Sequence, residues 1–181
     1  MGETKKINVK DWINLSSVMI GAVLTILALI WQVPTNGIIS ASYLLMISFI
    51  FFVNSVSTNS KANFEQEHRE ITEQKLNQWM LFAEYTFGIG FTCVICAFAI
   101  LGYEYLINFS GVRLLSLLLP VSFIAVALLL MFVYNIINYD GKLSAFKSIK
   151  RNLWAILEVG CLLVIIIDYV SRYTTGIPLI P

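Results

Sequence analysis

Five stretches of this chain are each long and apolar enough to cross a lipid bilayer, and this feature limits the folds that it can adopt. A membrane-spanning helix needs about 20 consecutive, mostly apolar residues. Because a backbone in lipid must satisfy its own hydrogen bonds, we expect every stretch to be helical. The stretches lack the alternating polarity that is typical of β-barrel strands. The predicted spans cover about residues 12–33, 38–57, 79–107, 112–137 and 153–170.

The composition also indicates a protein that is solvated by lipid. Hydrophobic residues make up 58% of the 181 positions and charged residues only 13%, and the mean hydropathy is +0.79. Such a chain cannot cover its apolar surface in water. We therefore predict one all-α membrane domain, residues 1–181, most naturally in a plasma or cytoplasmic membrane. The net charge of +1 provides no electrostatic surface for nucleic acid.

The distribution of Lys and Arg predicts how the helices are oriented. If the N-terminus is cytoplasmic, only Arg113 and Arg172 lie outside, while the other ten of the 12 cations lie inside. Cytoplasmic loops of membrane proteins carry such an excess of positive charge. Three tryptophans, Trp12, Trp79 and Trp154, then stand where a span leaves the cytoplasm. The prediction is N-terminus in and C-terminus out.

Two cytoplasmic loops are large enough to contact a partner. Residues 58–78 are charged and rich in helix formers, so we expect a cytoplasmic helix that continues into the third span. Residues 140–151 place four cations beside the membrane. Topology and contact with lipid headgroups explain these cations, and a surface for a soluble partner is the alternative. The four cations are Lys142, Lys147, Lys150 and Arg151.

Few residues suggest enzymatic chemistry. Cys93 and Cys96 form a CxxC pair, which occurs in redox enzymes, but the pair lies within a span and no loop contains a cysteine. We place Cys161 about 10 Å and Cys93 about 20 Å from the inner interface, so the thiols are expected to be small apolar core groups. His68 stands alone among acids of a solvated helix face. We predict no metal, no cofactor and no enzyme, with a membrane thiol or lipid enzyme as the remaining alternative.

Three charged residues are expected at the outer ends of the spans. Asp168 precedes Arg172 by four residues, a spacing that allows an ion pair on one helix. Glu104 can meet Arg113 across the short turn that follows the third span. Acids at the interface cost much less than acids at the midplane. We therefore interpret Asp168, Arg172 and Glu104 as structural residues.

Glu84 and Glu158 are expected deeper in the membrane. Each follows its interfacial Trp by four or five residues, which places both about 6–8 Å from the cytoplasmic face. Asn54 and Asn135 end spans at a similar depth. The four residues predict a polar layer, which is either a cation or proton site at the mouth of a pore or a hydrogen-bond network that holds the bundle together.

The function that the sequence favours is a homo-oligomeric, cation-selective channel. Five helices without an inverted repeat make a poor stand-alone transporter, whereas several copies can surround a pathway with identical acids. Ser17, Gly21 and Thr25 form a stripe of small residues that lets helices approach closely, within the bundle or between subunits. The alternative is a non-catalytic membrane anchor or regulatory subunit that binds a partner through residues 58–78 and 140–151.

Overall fold

The computed structural model describes residues 9–32, 37–68, 72–109, 113–138 and 153–180. Within these ranges the chain is helical and contains no β-strand, so the predicted all-α class is confirmed. The helices are α1 (Val9–Ile30), α2 (Ile38–His68), α3 (Glu73–Phe109), α4 (Arg113–Asn138) and α5 (Leu153–Thr174).

Four of the helices, α1, α2, α3 and α5, are long and apolar enough to cross a membrane. The corresponding apolar part of α4 is the shorter segment Leu114–Leu130. Large apolar side chains such as Val18 and Leu129 cover the outward surface of the bundle and are more than half exposed. A surface of this kind suits lipid better than water. The side of the membrane on which each terminus lies stays a prediction.

The first three helices form two successive antiparallel pairs. In the α1–α2 pair, Trp31 Nε1 donates to Ser42 Oγ at 2.9 Å near one end, and the Ser16 and Ser55 hydroxyls meet at 3.3 Å towards the other. The α2–α3 pair has the most extensive contact in the bundle. Gly90 permits the close approach, because a Cβ at this position would lie only 3.1 Å from the Phe52 ring.

The last two helices pack along the C-terminal half of α3. α5 runs parallel to α3, since Cys96 contacts Leu157 and, further along both helices, Tyr103 contacts Asp168. Together with α4, these helices enclose a second apolar core around Tyr103 and Ile165. α3 is therefore the central helix, with α2 packed on it from one side and α4 and α5 from the other.

α2 and α3 are longer than the apolar part of a bilayer. Their 31 and 37 residues measure about 46 and 55 Å at ~1.5 Å per residue, against ~30 Å of hydrocarbon. The paired ends are charged, and Lys61 lies 4.8 Å from the centre of the Trp79 ring. Within the stretch 58–78, where one helix was predicted, residues 58–68 belong to α2 and residues 73–78 to α3. Residues 69–71 lie outside the described ranges. The basic loop 140–151, with its four cations, also lies outside them.

Candidate functional site

Asp168 is the centre of a buried polar cluster where α3 and α5 end. Its side chain is fully buried. Oδ2 accepts hydrogen bonds from the Tyr103 hydroxyl at 2.7 Å and from Arg172 Nε at 2.5 Å. Oδ1 accepts two more, from the backbone N–H groups of Leu179 at 2.6 Å and Ile180 at 2.8 Å. Four donors satisfy this carboxylate, which makes it a structural centre and leaves little capacity for a ligand.

Arg172 joins Asp168 to a second carboxylate, Glu104 of α3. Its Nη2 donates to Glu104 Oε1 while its Nε bonds Asp168. The predicted i,i+4 pair of Asp168 and Arg172 is therefore present. Glu104 takes Arg172 as its partner, whereas the sequence suggested Arg113, whose side chain lies outside the described residues. The carboxylates Glu104 and Asp168 could be identified from the sequence, but their shared arginine depends on the packing of α3 against α5.

The chain after α5 folds back over this cluster. Gly176 has a φ of +74°, a left-handed conformation that glycine adopts without a steric penalty. Ser171 Oγ donates to the Ile177 carbonyl at 2.9 Å, which fixes the turn. Ile180 is then buried in the core of α3, α4 and α5. We call residues 175–180 the C-terminal strap. The role of the strap was not predicted, although Gly176 and the apolar Ile180 are signals of it in the sequence.

Glu104 also packs against the start of α2. Gly37, with a φ of +77°, accepts the hydrogen bond that begins α2, from Ala41 N–H at 2.9 Å. A Cβ on Gly37 would lie 2.6 Å from Glu104 Cγ. The Glu104 side chain thus fills the space beside this glycine and links the α1–α2 turn to the cluster.

Glu158 is the buried acid without a counter-ion in the described part of the chain. It lies about 8 Å from the start of α5, is 0% exposed, and neither of its oxygens has a hydrogen-bond partner among the described residues. The preceding carbonyl, of Leu157, lies against Cys96 of α3 at 3.9 Å. Thr92, one turn before Cys96 on the same side of α3, also has a buried hydroxyl that lacks a partner there. Both α3 and α5 therefore carry buried oxygen atoms that lack a partner among the described residues.

The predicted polar layer does not form as expected, because Glu84 and Glu158 are not level with each other. Glu84 precedes Cys96 by twelve residues, about 18 Å along α3, whereas Glu158 lies beside Cys96. Glu84 is exposed on the surface of α3, and Glu158 is buried. The prediction used Trp79 and Trp154 as markers of one depth. The start of α5 lies beside a part of α3 that is well past Trp79, so the two tryptophans do not mark one depth and that assumption was wrong.

Of the two asparagines in the predicted layer, Asn54 makes no hydrogen bond to Glu158. Asn54 is half-buried on α2, while the side chain of Asn135 on α4 lies outside the described residues. Next to Asn54, hydroxyl groups make the described polar contacts instead. Ser55 Oγ donates to the Ala83 carbonyl at 3.0 Å, and Thr86 Oγ1 donates to the same carbonyl at 3.0 Å. The Ser55 bond joins α2 to α3, the Thr86 bond lies within α3, and both hydroxyls are satisfied.

Cys96 and Cys161 are in contact across the α3–α5 seam, contrary to the depths inferred from the sequence. Cys161 Sγ donates to the Cys96 carbonyl at 3.7 Å, and Cys96 Sγ donates to the Leu157 carbonyl at 3.9 Å. The same shift between α3 and α5 that separates the glutamates brings these cysteines together.

The remaining candidates lie on the surface. His68 Nδ1–H donates to the Phe64 carbonyl at 2.8 Å, and no group of metal-ligating side chains was found within the described ranges. Ser17 and Thr25 bond carbonyls of their own helix and, with Gly21, face outward. An apolar groove of about 450 Å³ between α3 and α4, lined by Phe98, Pro120 and other apolar residues, contains no charged side chain.

Comparison with known proteins finds no match for this chain among protein-family models, curated proteins or solved structures.

Proposed function

We propose that the protein conducts small cations or protons through a membrane, with Glu158 as the carboxyl that binds the ion inside the bundle. The observation that carries this proposal is the complete burial of Glu158 without a partner for either oxygen in the described chain. Ionisable side chains within spanning helices are costly and rare. Such a cost is tolerated most often where the residue has a function.

The chemistry of the seam suits a cation or a proton. An ionised carboxylate that lacks both donors and a counter-ion is unfavourable in an apolar interior, so a bound proton or cation lowers its free energy. Carboxylate and hydroxyl oxygens are ligands of hard cations. The Thr92 hydroxyl, one turn before Cys96 on α3, is a second buried oxygen without a partner among the described residues. Asp168 and Glu104, by contrast, are already held by Arg172.

The proposal retains a homo-oligomer but changes the residues of the site. Glu84 lies about 18 Å below the level of Cys96 and on the surface of α3, so it belongs to a different place from Glu158. The small residues of α1 face outward, where a neighbouring subunit could approach closely. Glu158 therefore takes the role that the sequence divided between two glutamates.

Flux through liposomes that contain only the purified protein tests this function. We expect the wild type to dissipate proton, Na⁺ or K⁺ gradients, followed with ion-sensitive dyes at both membrane polarities. Glu158→Gln should lower the flux at least about tenfold, since a lost charged interaction exceeds ~1.4 kcal/mol, one factor of ten. Glu73→Gln, an exposed acid at the start of α3, is the matched control and should conduct like the wild type.

Two outcomes contradict cation conduction through this site. Liposomes that stay tight to all three cations exclude it, as does a Glu158→Gln variant with the flux of the wild type. Thr92→Val tests the second oxygen and should also lower the flux. Its matched control is Ser48→Ala on α2, which packs on α1 and α3. This change removes another buried hydroxyl that lacks a partner among the described residues.

A membrane anchor or regulatory subunit is the second candidate, and the long α2–α3 pair favours it. The ends of this pair extend past the apolar span and carry charged and aromatic groups, with Phe64 more than half exposed. Tight liposomes, together with a stoichiometric complex purified from the native membrane and lost on Phe64→Asp, would support this function. Loss of the complex on Phe82→Asp, an apolar residue further along α3, would instead indicate general misfolding.

A further inference from the structure

Cys96 of α3 and Cys161 of α5 make reciprocal contacts across the seam between the two helices. They come from positions 65 residues apart, and each thiol donates to a backbone carbonyl of the other helix, at 3.7 Å from Cys161 and 3.9 Å from Cys96. A disulfide needs Cα atoms within about 7 Å and sulfurs at ~2.05 Å. Because each sulfur already contacts the backbone of the facing helix, we expect that rotation of the two side chains can bring the sulfurs together.

The two thiols lie in an apolar part of the bundle. Cys161 is partly buried and packs against the core of α3, α4 and α5, while Cys96 is buried. A water-soluble oxidant would have to enter this apolar region, whereas a lipid-soluble oxidant partitions into it. Cys93 is buried on α3 and is left as the third thiol of the chain.

We propose that Cys96 and Cys161 are a redox modification site, which a lipid-soluble quinone oxidises to a disulfide between α3 and α5. Both S–H bonds break and one S–S bond forms. The two electrons and two protons pass to the quinone, which leaves as the hydroquinone. The bond links α3 to α5 next to Glu158 and thereby restricts any separation of the seam. This inference is independent of cation conduction, because it requires only the contact between the thiols.

Thiol counting tests the proposal. The protein is reduced in lipid nanodiscs, treated with decylubiquinone, denatured, and labelled with a polyethylene-glycol maleimide that adds a visible mass for each free thiol. The reduced wild type should take up three labels and the oxidised protein one, with the remaining label on Cys93. Cys93→Ser should fall from two labels to none, and mass spectrometry should find the peptide of Cys96 joined to that of Cys161.

The variants of the pair are the controls. Cys96→Ser and Cys161→Ser should keep two labels before and after the quinone, and alanine replaces serine if a hydroxyl disturbs the packing. Three labels on the quinone-treated wild type overturn the proposal. So do a disulfide that includes Cys93, and oxidised protein that migrates as a covalent dimer.

Discussion

Asp168 Oδ1 accepts a hydrogen bond from the backbone N–H of Ile180 at 2.8 Å, so a side chain of α5 fixes the last described residue of the chain. The same carboxylate bonds Arg172 and Tyr103, which connects the C-terminal strap to α3 and α5 at one point. Buried carboxylates with several charge-assisted bonds are among the strongest polar contacts in proteins. The stability of this end of the bundle should therefore depend on a few side chains.

Removal of the charge at Asp168 should destabilise the fold. Asp168→Asn leaves Arg172 with one carboxylate and places an amide N–H against several donors. We expect the free energy of unfolding to fall by about 3–5 kcal/mol, as for other broken buried ion pairs. Denaturant titration in detergent micelles, followed by helical circular dichroism, measures the change.

The control for this prediction is an ion pair in solvent. Lys10 and Glu67 lie 3.6 Å apart with both side chains exposed, so Glu67→Gln should cost at most about 1 kcal/mol. Equal losses for the two variants would mean that the Asp168 cluster contributes no more than a surface pair.

The hydroxyl of Tyr103 should contribute separately. Tyr103→Phe keeps the buried ring but removes the donor that lies 2.7 Å from Asp168. We expect a loss of about 1.5–3 kcal/mol, typical of a hydrogen bond to a charged group. Tyr105→Phe, at an exposed position two residues later, should be nearly neutral. A Tyr103→Phe variant that unfolds at the denaturant concentration of the wild type would exclude this role.

The strap should contribute through Ile180 rather than through its neighbour. Ile180 is 3% exposed and Leu179 is 54% exposed. Ile180→Ala should lower the free energy of unfolding by about 2–5 kcal/mol, because it removes apolar atoms from the core of α3, α4 and α5. Leu179→Ala keeps the backbone hydrogen bond to Asp168, so it should change the free energy of unfolding by less than about 0.5 kcal/mol. The reverse order would show that the strap does not pack in this way.

Two glycines with similar backbone angles separate steric contact from conformational strain. Both Gly37→Ala and Gly176→Ala should lower the free energy of unfolding by about 1–2 kcal/mol, because each position has a positive φ. Gly37→Ala should lose a further ~1–3 kcal/mol, since its Cβ would lie 2.6 Å from Glu104 Cγ, while Gly176 has open space. Equal thermal unfolding of the two variants in detergent would show that Glu104 moves aside without cost.

Much of the architecture could be predicted from local patterns. The apolar runs correspond to helices, with α2 beginning at Ile38 and α5 at Leu153 as expected. The spacing of Asp168 and Arg172 was enough to predict their pair, since residues four apart face each other on any helix. These features depend on helical periodicity and on the length of chain needed to cross lipid, and both can be read along the sequence.

The relative shift of the helices could be decided only by tertiary packing. The sequence of α5 alone does not indicate that Leu157 lies beside Cys96 of α3. That register depends on how the surfaces of two helices far apart in sequence fit together. It separates Glu158 from Glu84, joins Cys96 to Cys161, and gives Glu104 the arginine of α5. The sequence by itself therefore determined a bundle of apolar helices with acids at particular positions. The tertiary structure decided which acids are satisfied, and it left Glu158 buried without a partner in the described chain.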